Sequence, residues 1–397
     1  MSILRGHKLS LQNALNKVFG GLGKLRLVPT NSALSQARQK IDPALFIHLH
    51  KVTRDDFYRL YGQDNEVLTW RKHRVLAYDG TDINLPDTPE LREAFSVQRN
   101  QHGSESVQAL AGVLYDVRND MAIGAQLGPL QAEKNFLLGA LWKETKRGDL
   151  IVMDRLFADY SVIATAKKGG REVLIRCPEK TFSVVNQFWA SSEQERIVEL
   201  PMPQTAGTRK YVREHKLPQS VLVRLIKVTL DTGQIEVLLT TLCDRRRYPT
   251  AEFKYLYHLR WGVETFFDRV KNIFDVERFS GFSKLAIEQD FFGVIFLATL
   301  ESILVKGPQS ELAERDRRRW NKTRAKVNRA GSYVALVDRA VQLLADPHSD
   351  PEDIIDELRG LFKQDPTRNL EGRKFERKKF NHAVSLRYHR YKKRINA

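Results

Sequence analysis

The sequence predicts an α/β protein in which a mixed sheet is flanked by helices, with helical regions at both ends of the chain. Two short apolar runs, Val75–Tyr78 and Leu150–Met153, have the length of buried strands. Between residues 256 and 274, apolar side chains recur at the i, i+3, i+4 spacing of a core-facing helix. The 397 residues are enough for one large core with satellites or for two to three domains.

Residues 1–66 show helical apolar spacing, which predicts a helical N-terminal region. The predicted helices are Leu9–Phe19, Ser32–Ile41 and Pro43–Tyr61. Asn31 or Ser32 would cap the second helix. On spacing alone, this region fits a small helical bundle with a structural role. Its candidate polar contact residues are Arg26, Gln36, Arg38 and Lys40, and the spacing does not distinguish among them.

The segment Val75–Leu85 contains an apolar run, then Asp79-Gly80, then a second apolar run. This order predicts two strands joined by a tight turn, because Asp-Gly between apolar runs is typical of a β-hairpin. Asp79 is therefore either a turn residue or a functional carboxylate at a strand end. Asp82 is a nearby acidic alternative, and we prefer Asp79 because it directly ends the apolar run.

A second acidic residue, Asp154, follows the apolar strand Leu150–Met153. The carboxyl end of a strand is where α/β sheets place ligands. Asp154 is alternatively a helix cap for the predicted helix Ala158–Lys168. The segments before this strand predict the strands Ser106–Tyr115 and Met121–Leu127 and the helix Gln131–Lys146.

A strand-rich stretch at about residues 171–245 lies between Asp154 and the helical pattern at 256–274. Strand-like segments within it are Glu172–Cys177, Arg196–Leu200, Ser220–Leu230 and Gln234–Leu242. Arg245 and Arg246 lie in the connection that follows. Consecutive arginines are suited to phosphate contacts, or to a solvated loop.

The stretch from 256 to 274 is predicted to be one helix with a polar stripe beside its apolar face. The stripe consists of Tyr257, Arg260, Glu264 and Lys271. Any one of these is ordinarily a surface residue. The four together place a carboxylate between cations at the edge of a buried face.

The pattern Tyr-x2-Arg-x3-Glu-x6-Lys resembles the YREK signature of a family of bacterial insertion-sequence transposases. Those enzymes use an Asp-Asp-Glu triad on a ribonuclease-H-like fold, and some form a DNA hairpin during cut-and-paste transposition. The contexts Asp79-Gly-Thr and Asp154-Arg-Leu-Phe are similar to the family's two aspartate sites, although Leu156 replaces the usual glycine. The resemblance thus implies Asp79, Asp154 and Glu264 as catalytic and metal-binding residues.

The resemblance also implies two Mg²⁺ ions, for which Mn²⁺ can substitute. A pair of divalent ions activates the attacking oxygen and stabilises the leaving oxygen in phosphodiester chemistry. Carried over by position, Tyr257, Arg260 and Lys271 bind phosphates, and Arg155 adds a contact. Trp189, the tryptophan within the strand-rich insertion, is a candidate for stacking a flipped base.

The net charge of +17 makes an anionic polymer the expected partner. The predicted domains are a DNA-end-binding region at 1–66, a ribonuclease-H-like catalytic domain at 67–305 with the insertion at about 171–245, and a basic helical region at 306–397. The last region contains the basic runs Arg315–Arg329 and Arg373–Arg394 and the predicted helices Tyr333–Leu344 and Pro351–Phe362. Basic residues alternating with aromatics fit backbone contact and base stacking.

The predicted function is cut-and-paste DNA transposition, with Mg²⁺-dependent cleavage at insertion-sequence ends and strand transfer into target DNA. The expected partners are double-stranded DNA, as terminal inverted repeats and target, and a second copy of the chain in the DNA complex. The alternatives are a ribonuclease-H-like nuclease without strand transfer, a catalytically silent DNA-binding protein derived from a transposase, and an RNA-binding protein.

The expected location is the bacterial cytoplasm, in association with the nucleoid. No run of eighteen or more apolar residues predicts a membrane span, and the N-terminal residues lack the pattern of a signal peptide. Cys177 and Cys243 have no partner motif and are expected to be reduced core residues.

Overall fold

The computed structural model describes residues 11–64, 66–99, 103–230, 232–319 and 323–370. Its helices are α1 Leu11–Gly21, α2 Asn31–Arg38, α3 Ala44–Gln63, α4 Pro89–Ala94, α5 Glu133–Leu138, α6 Tyr160–Lys168, α7 Ser183–Ala190, α8 Ala206–Glu214, α9 Glu252–His258, α10 Trp261–Asp268, α11 Lys284–Arg318, α12 Arg329–Ala345 and α13 Pro351–Gln364. Its strands are β1 Val75–Asn84, β2 Ser96–Arg99, β3 Glu105–Asp116, β4 Met121–Gly128, β5 Leu150–Met153, β6 Glu172–Arg176, β7 Glu195–Pro201, β8 Ser220–Thr229, β9 Ile235–Thr240, β10 Thr323–Lys326 and β11 Thr367–Leu370.

Nine of the described strands form one mixed sheet, in the order β2-β3-β1-β5-β6-β9-β8-β7, with β4 also paired to β3. β1, β5 and β6 are parallel, and β3 and β4 are antiparallel. Val117 N donates to Val75 O and Leu85 N donates to Val107 O, so β1 and β3 are antiparallel. Three antiparallel strands followed by two strands parallel to the first are the arrangement of a ribonuclease-H-like core. The predicted α/β fold class is confirmed.

The chain divides into two compact units that alternate along the sequence. One comprises the described parts of Met1–Phe57, Ile83–Ala109 and Asp268–Ala397, and the other comprises Tyr58–Asp82 and Leu110–Phe267. The second unit contains most of the sheet, together with α5 to α9. It also carries all three acidic residues of the predicted triad.

The sheet of the second unit is buried on both faces, as its continuous apolar strands predict. Alternate residues of β1, β5, β6 and β9 pack on one face with α6, among them Leu76, Ile151, Val173 and Leu239. The intervening residues pack on the other face with α9, among them Val75, Leu150, Leu174 and Leu238. The layer order is therefore helix, sheet, helix.

The predicted hairpin at Val75–Leu85 is wrong, because β1 is one continuous strand through this segment. A two-residue hairpin needs a left-handed backbone in its turn, and neither Asp79 nor Gly80 has a positive φ. Beyond Gly80 the chain remains extended and lies beside β3, where Gln108 Nε2 donates to Asn84 Oδ1 at 3.0 Å.

The helix predicted at Gln131–Lys146 is broken into a 3₁₀ turn, the short helix α5 and a second 3₁₀ turn. The break is at Gly139, where a Cβ would lie 2.6 Å from the carbonyl oxygen of Asn135. Only glycine allows this close approach, and the backbone there leaves the helical conformation.

The single helix predicted at 256–274 is also divided. Between α9 and α10, Arg260 N and Gly262 N donate to carbonyls three residues back, as in a 3₁₀ turn. After α10 the residues Arg269–Ile273 form a π-helical turn. A π-turn holds more residues than an α-helical turn. The α-helical spacing that placed Lys271 on the same stripe as Tyr257, Arg260 and Glu264 therefore does not apply to Lys271.

The insertion contains the four predicted strands and two helices that its sequence pattern did not predict, α7 and α8. β6 is shared with the core, and β9, β8 and β7 extend the sheet in antiparallel register. β7 lies at one edge of the sheet. Charged residues and Pro201 on this edge strand oppose pairing with another chain.

The other unit contains the N-terminal helices and the long helix α11. α1 to α3 agree with the three predicted helices, although Thr30 rather than Asn31 or Ser32 caps α2, its side chain accepting from Ala33 N. α11 is apolar and long enough to cross a membrane, but 67% of its apolar window is buried inside the protein. It is therefore placed as a core helix.

The C-terminal helices α12 and α13 form where they were predicted and pack with α11 in an apolar cluster that includes Val305, Leu336 and Leu358. The basic run at 315–329 is divided between elements, since α11 ends at Arg318 and Thr323–Lys326 forms a strand that pairs with β11. The basic, aromatic run at 373–394 lies outside the described residues.

Candidate active site

Charged residues lie at matching positions on or directly after three neighbouring parallel strands, β1, β5 and β6. The register pairs Tyr78 with Met153 and Met153 with Ile175. The next residues on the three strands are Asp79, Asp154 and Arg176. Adjacent strands lie about 4.8 Å apart, so the backbones of the two predicted catalytic aspartates are neighbours. β5 ends at Met153 whereas β1 continues. The pairing of β1 with β5 therefore stops at Tyr78, just before Asp79.

The two aspartates project from the face of the sheet that α9 covers. Tyr78 and Met153 belong to the opposite core face, and successive residues of a strand alternate between faces. α9 contributes Phe253, Leu256 and Tyr257 to the apolar cluster on its own face. This packing brings the start of α10 over the strand ends.

Gly262 fixes how closely α10 approaches the sheet. A Cβ at this position would lie 3.1 Å from Val117 Cγ1 and 3.3 Å from Val117 Cβ, in the turn after β3. These distances are tighter than normal van der Waals contact. Glycine therefore permits the approach that places Arg260 and Glu264 at the site.

Arg260 links two members of the predicted triad. Its Nη1 donates to Asp79 Oδ2 at 3.2 Å, and its Nη2 donates to Glu264 Oε1 at 2.6 Å. The Arg260 side chain is 9% exposed, and its Nε has no hydrogen-bond partner among the described residues. A buried donor without an acceptor lowers the stability of the folded protein by about 1–3 kcal/mol. An anion that enters the site would accept a hydrogen bond from this N–H and remove the penalty.

Asp79 lies in a field of other carboxylates. Burial raises the pKa of Asp79 to about 6, and Asp154 and Glu264 also raise it, while Gly80 N–H and Arg260 lower it. These couplings show that the three acids act on one another electrostatically. The pKa of Asp79 is raised because the nearby positive charge does not offset burial and repulsion.

Asp154 is a cap, but not of the helix that the sequence suggested. Its Oδ1 accepts from Leu156 N at 2.7 Å and caps the 3₁₀ turn Arg155–Phe157. The longer helix α6 is instead capped by Asp159, whose side chain accepts from Ser161 N. Asp154 therefore remains at the strand end, with its carboxylate held by a backbone N–H.

A fourth carboxylate, Glu133, was not identified from the sequence. It begins α5, and Tyr78 Oη donates to its carbonyl oxygen at 2.7 Å. Burial, together with the charges of Asp79, Asp154 and Asp82, raises the pKa of Glu133 to about 7. No sequence spacing relates Glu133 to Asp79, because the sheet and α5 bring them together through tertiary packing.

Tyr257 and Arg176 form a second polar group beside Asp154. Burial raises the pKa of Tyr257 to about 12, while Arg260 and Arg176 lower it. Arg176 pairs with Glu236 at 2.7 Å, and burial lowers its pKa while Glu236, Tyr257 and Asp154 raise it, for a net increase. Arg176 was missed by the sequence analysis, although its place at the end of an apolar strand was a usable signal.

The other predicted phosphate-binding residues differ in their exposure and pairing. Arg155 is exposed beside Asp154, and Arg246 is exposed in the connection before α9. Arg245 is ion-paired with Glu195. Lys271 is half-buried in the π-helical turn of the other unit. Trp189 packs partly against the core of the second unit, and its Nε1 has no hydrogen-bond partner among the described residues.

The acids are aligned but do not form a preassembled cage for a metal ion. Among the described residues, no group of three His, Cys, Asp or Glu side chains is arranged to hold a cation. The Arg260 guanidinium bridges Asp79 and Glu264 instead. The donor set still fits a hard divalent ion, because it consists of carboxylate oxygens, the ligands that such ions prefer.

The sequence pattern of the family described as Transposase DDE domain matches residues 70–300. This match covers more than half of the chain and includes Asp79, Asp154 and Glu264. The chain therefore belongs to the transposase DDE domain family, and its predicted membership of the DDE transposases is confirmed. The match does not test the Tyr-Arg-Glu-Lys pattern, which stays a prediction.

Among individual proteins, the chain is similar to Transposase InsG for insertion sequence element IS4 of Escherichia coli strain K12. The two are 24% identical over 272 residues, which is 68% of this chain and 60% of the relative. The chain thus spans about 60% of the length of this curated relative. A solved structure, the piggyBac transposase synaptic complex with hairpin DNA, matches with a TM-score of 0.43 and 10% identity over 91% of this chain and 74% of that chain.

Proposed function

We propose that this protein is an insertion-sequence transposase that cleaves DNA at element ends and joins the freed ends to target DNA. The observation that carries the proposal is the in-register placement of Asp79 and Asp154, with Glu264 joined to Asp79 through Arg260. The family match over residues 70–300 supports it independently. Carboxylates that converge at one sheet edge suit metal-assisted phosphodiester cleavage.

Asp79, Asp154 and Glu264 would hold divalent cations, which we propose to be two Mg²⁺ ions, with Mn²⁺ as a substitute. Mg²⁺ prefers carboxylate oxygens and keeps several waters, so few protein ligands are needed. Bound ions would activate the attacking oxygen and stabilise the leaving one. The raised pKa of Asp79 supports this assignment, since a cation would offset the negative charge around it.

The cationic residues of the site are proposed to hold the DNA backbone. Arg260 presents a buried guanidinium whose Nε lacks an acceptor, and a guanidinium forms paired hydrogen bonds to phosphate. Tyr257 lies under Arg260 with its ring centroid 5.9 Å from Cζ, and both would orient the scissile phosphate. Lys271 and Arg155 are proposed as further phosphate contacts.

Contacts outside the centre are proposed on sequence grounds. The exposed Arg246, with Arg245, would track the backbone, and Trp189 would have to leave its packed position to stack a base. Residues 1–66 would bind the element ends, and 306–397 would contact DNA or a second copy of the chain. A homodimer on double-stranded DNA and a location on the bacterial nucleoid follow from this function.

The test is cleavage of a duplex that carries an element end by Asp79→Asn and Glu264→Gln. Each change removes one metal-binding charge, which should lower the rate about a thousandfold, or about 4 kcal/mol. The rate of Mg²⁺-dependent nicking is measured on radiolabelled duplex. A precleaved end supplied with target plasmid then measures strand transfer separately from cleavage.

Asp82→Asn is the matched control, since Asp82 is an exposed acid on the same strand. It should keep most of the cleavage activity. Near-normal cleavage by Asp79→Asn or Glu264→Gln would rule out the proposed triad. Loss of cleavage in Asp82→Asn with activity retained in Asp79→Asn would move the first aspartate to position 82.

A further inference from the structure

Glu133 approaches the strand that carries Asp79 from the face opposite to α10. A Cβ built on Gly80 would lie 2.6 Å from Glu133 Oε1 and 3.1 Å from its Cδ. Gly80 and Tyr78 have the same parity on β1, and Tyr78 belongs to the core face packed by α5. The glycine thus leaves the space that the Glu133 carboxylate occupies.

The backbone of Glu133 is fixed by the same strand. Tyr78 Oη donates to the carbonyl oxygen of Glu133 at 2.7 Å, and Tyr78 is the residue directly before Asp79. Phe136, one turn further along α5, packs so closely on β3 and β4 that a Cβ at Gly112 or Gly128 would lie within 3.0 Å of its ring. The start of α5 is therefore positioned as firmly as the strand itself.

The Glu133 carboxylate is coupled to the site and lacks a counter-charge. Gly80 N donates to Asp79 Oδ1 at 2.9 Å, and the same N–H lowers the pKa of Glu133. The adjacent Lys134 is committed elsewhere, to Asp159 at 2.9 Å. No ion pair of Glu133 is present in the described part of the chain.

A second feature of the site is a buried donor without an acceptor among the described residues. Arg260 is 8% exposed, directs both Nη atoms at Asp79 and Glu264, and has a buried Nε without a partner. Because a buried donor without an acceptor is costly, an anion such as a phosphate oxygen would be stabilised next to these two carboxylates.

We propose that Glu133 is a fourth carboxylate of the active site, which holds a divalent cation together with Asp79. This inference rests on the proposed function, because it adds a ligand to the same metal site. Asp79 would be reached from one face of the sheet by Arg260 and Glu264 and from the other by Glu133. Gly80 is then a required neighbour, since any larger residue would displace the Glu133 carboxylate.

The experiment is a calorimetric titration of the full-length protein with Mn²⁺ in the absence of DNA, repeated for Asp79→Asn, Glu133→Gln and Glu133→Asp. Glu133→Gln keeps the size of the side chain and removes its charge, and should weaken Mn²⁺ binding about tenfold or more. Glu133→Asp should recover part of the affinity. Circular dichroism checks that each variant is folded, and Glu214→Gln, on the exposed surface of α8, is the matched control.

The outcomes separate this inference from the proposed function. If Asp79→Asn weakens Mn²⁺ binding while Glu133→Gln binds as tightly as the wild type, Glu133 is not a ligand and the triad stands. If the wild type binds no Mn²⁺, or Asp79→Asn binds normally, both proposals fail. If Glu133→Gln is misfolded, the titration of Glu133→Asp decides, and unchanged affinity in that variant would overturn the inference.

Discussion

Gly80 shows how tertiary contacts decide the role of a residue whose sequence context suggests another. The dipeptide Asp79-Gly80 predicts a turn, yet the strand runs through it without a positive φ. The glycine is instead needed because Glu133 and Leu110 come within 2.6 Å and 2.9 Å of the position of its absent Cβ. A local pattern cannot reveal such a contact, because Glu133 is more than fifty residues away.

The metal-free protein should lose stability as the pH rises from 5 to 7. Glu133 has an ordinary pKa of 4.5 when unfolded and about 7 when folded, so the folded chain binds more protons in this window. Its free energy of unfolding therefore falls with rising pH. Asp79, at about 6, adds to the fall in the lower part of the window.

This prediction is checked by thermal unfolding in EDTA at pH 5, 6, 7 and 8. Glu133→Gln should flatten the decrease of the unfolding midpoint with pH, because the variant has no carboxyl group to protonate at that position. Glu214→Gln should follow the wild type. Parallel midpoint curves for Glu133→Gln and the wild type would show that Glu133 titrates normally.

At the scale of elements, Arg38 joins two helices through its side-chain contacts. Its guanidinium donates to Gln289, to Ser280 Oγ at 2.5 Å and to Ala286 O at 2.7 Å, and it pairs with Asp290 at 3.2 Å. Asp290 is fully buried. α2 is thereby tied to the start of α11, which the sequence could not indicate because 252 residues separate the two partners.

Arg38→Gln should destabilise the protein by about 3–5 kcal/mol, because it leaves the buried Asp290 carboxylate without its cation. The free energy of unfolding is measured by urea titration. Arg26→Gln, on the exposed 3₁₀ turn before α2, is the control and should change stability by less than about 0.5 kcal/mol. A loss below about 1 kcal/mol in Arg38→Gln would show that α2 is not held by these contacts.

Elements with continuous apolar runs were predicted from the sequence, whereas elements that bury few residues were not. β5 and α11 follow from apolar runs that only a buried strand or helix can accommodate. α8 was missed because its nine residues bury only Val212, too little for a periodic apolar pattern. The division between α9 and α10 was not predicted, because the apolar spacing runs through it.

The candidate site was predictable to the extent that its residues follow strands. Asp79 and Asp154 could be chosen because each directly follows an apolar run, and the register then placed them side by side. Glu264 was chosen from a helical pattern, although the helix is broken before it. Arg260 was expected to bind phosphate, and its position between two carboxylates in the absence of metal was not foreseen.

At the scale of the whole molecule, the charge of +17 predicts DNA binding that is sensitive to salt. A protein that contacts six or more phosphates should lose about a thousandfold in affinity between 50 and 200 mM salt. Fluorescence anisotropy with a labelled duplex measures this dependence. A flat salt dependence would contradict a binding mode based on backbone contacts.

Two variants test whether the connection before α9 contributes to this salt dependence. Arg246→Gln should lower the slope of log affinity against log salt by about one, because one phosphate contact is lost. Arg92→Gln is the control, since Arg92 is already paired with Asp87 and Glu105. Equal slopes for Arg246→Gln and the control would exclude the connection before α9 from the DNA surface.

The burial of the sheet on both faces has a consequence for how the catalytic geometry tolerates sequence change. Inserting or deleting a single residue in β5 would exchange the side chains that face the two apolar layers. Asp154 would rotate away from Asp79, but Ile151 and Val152 would also exchange faces, and neither apolar layer could close. A change in the length of β5 would therefore misplace Asp154 and disrupt the packing of the core at the same time. We expect such length variants to be insoluble rather than folded and inactive.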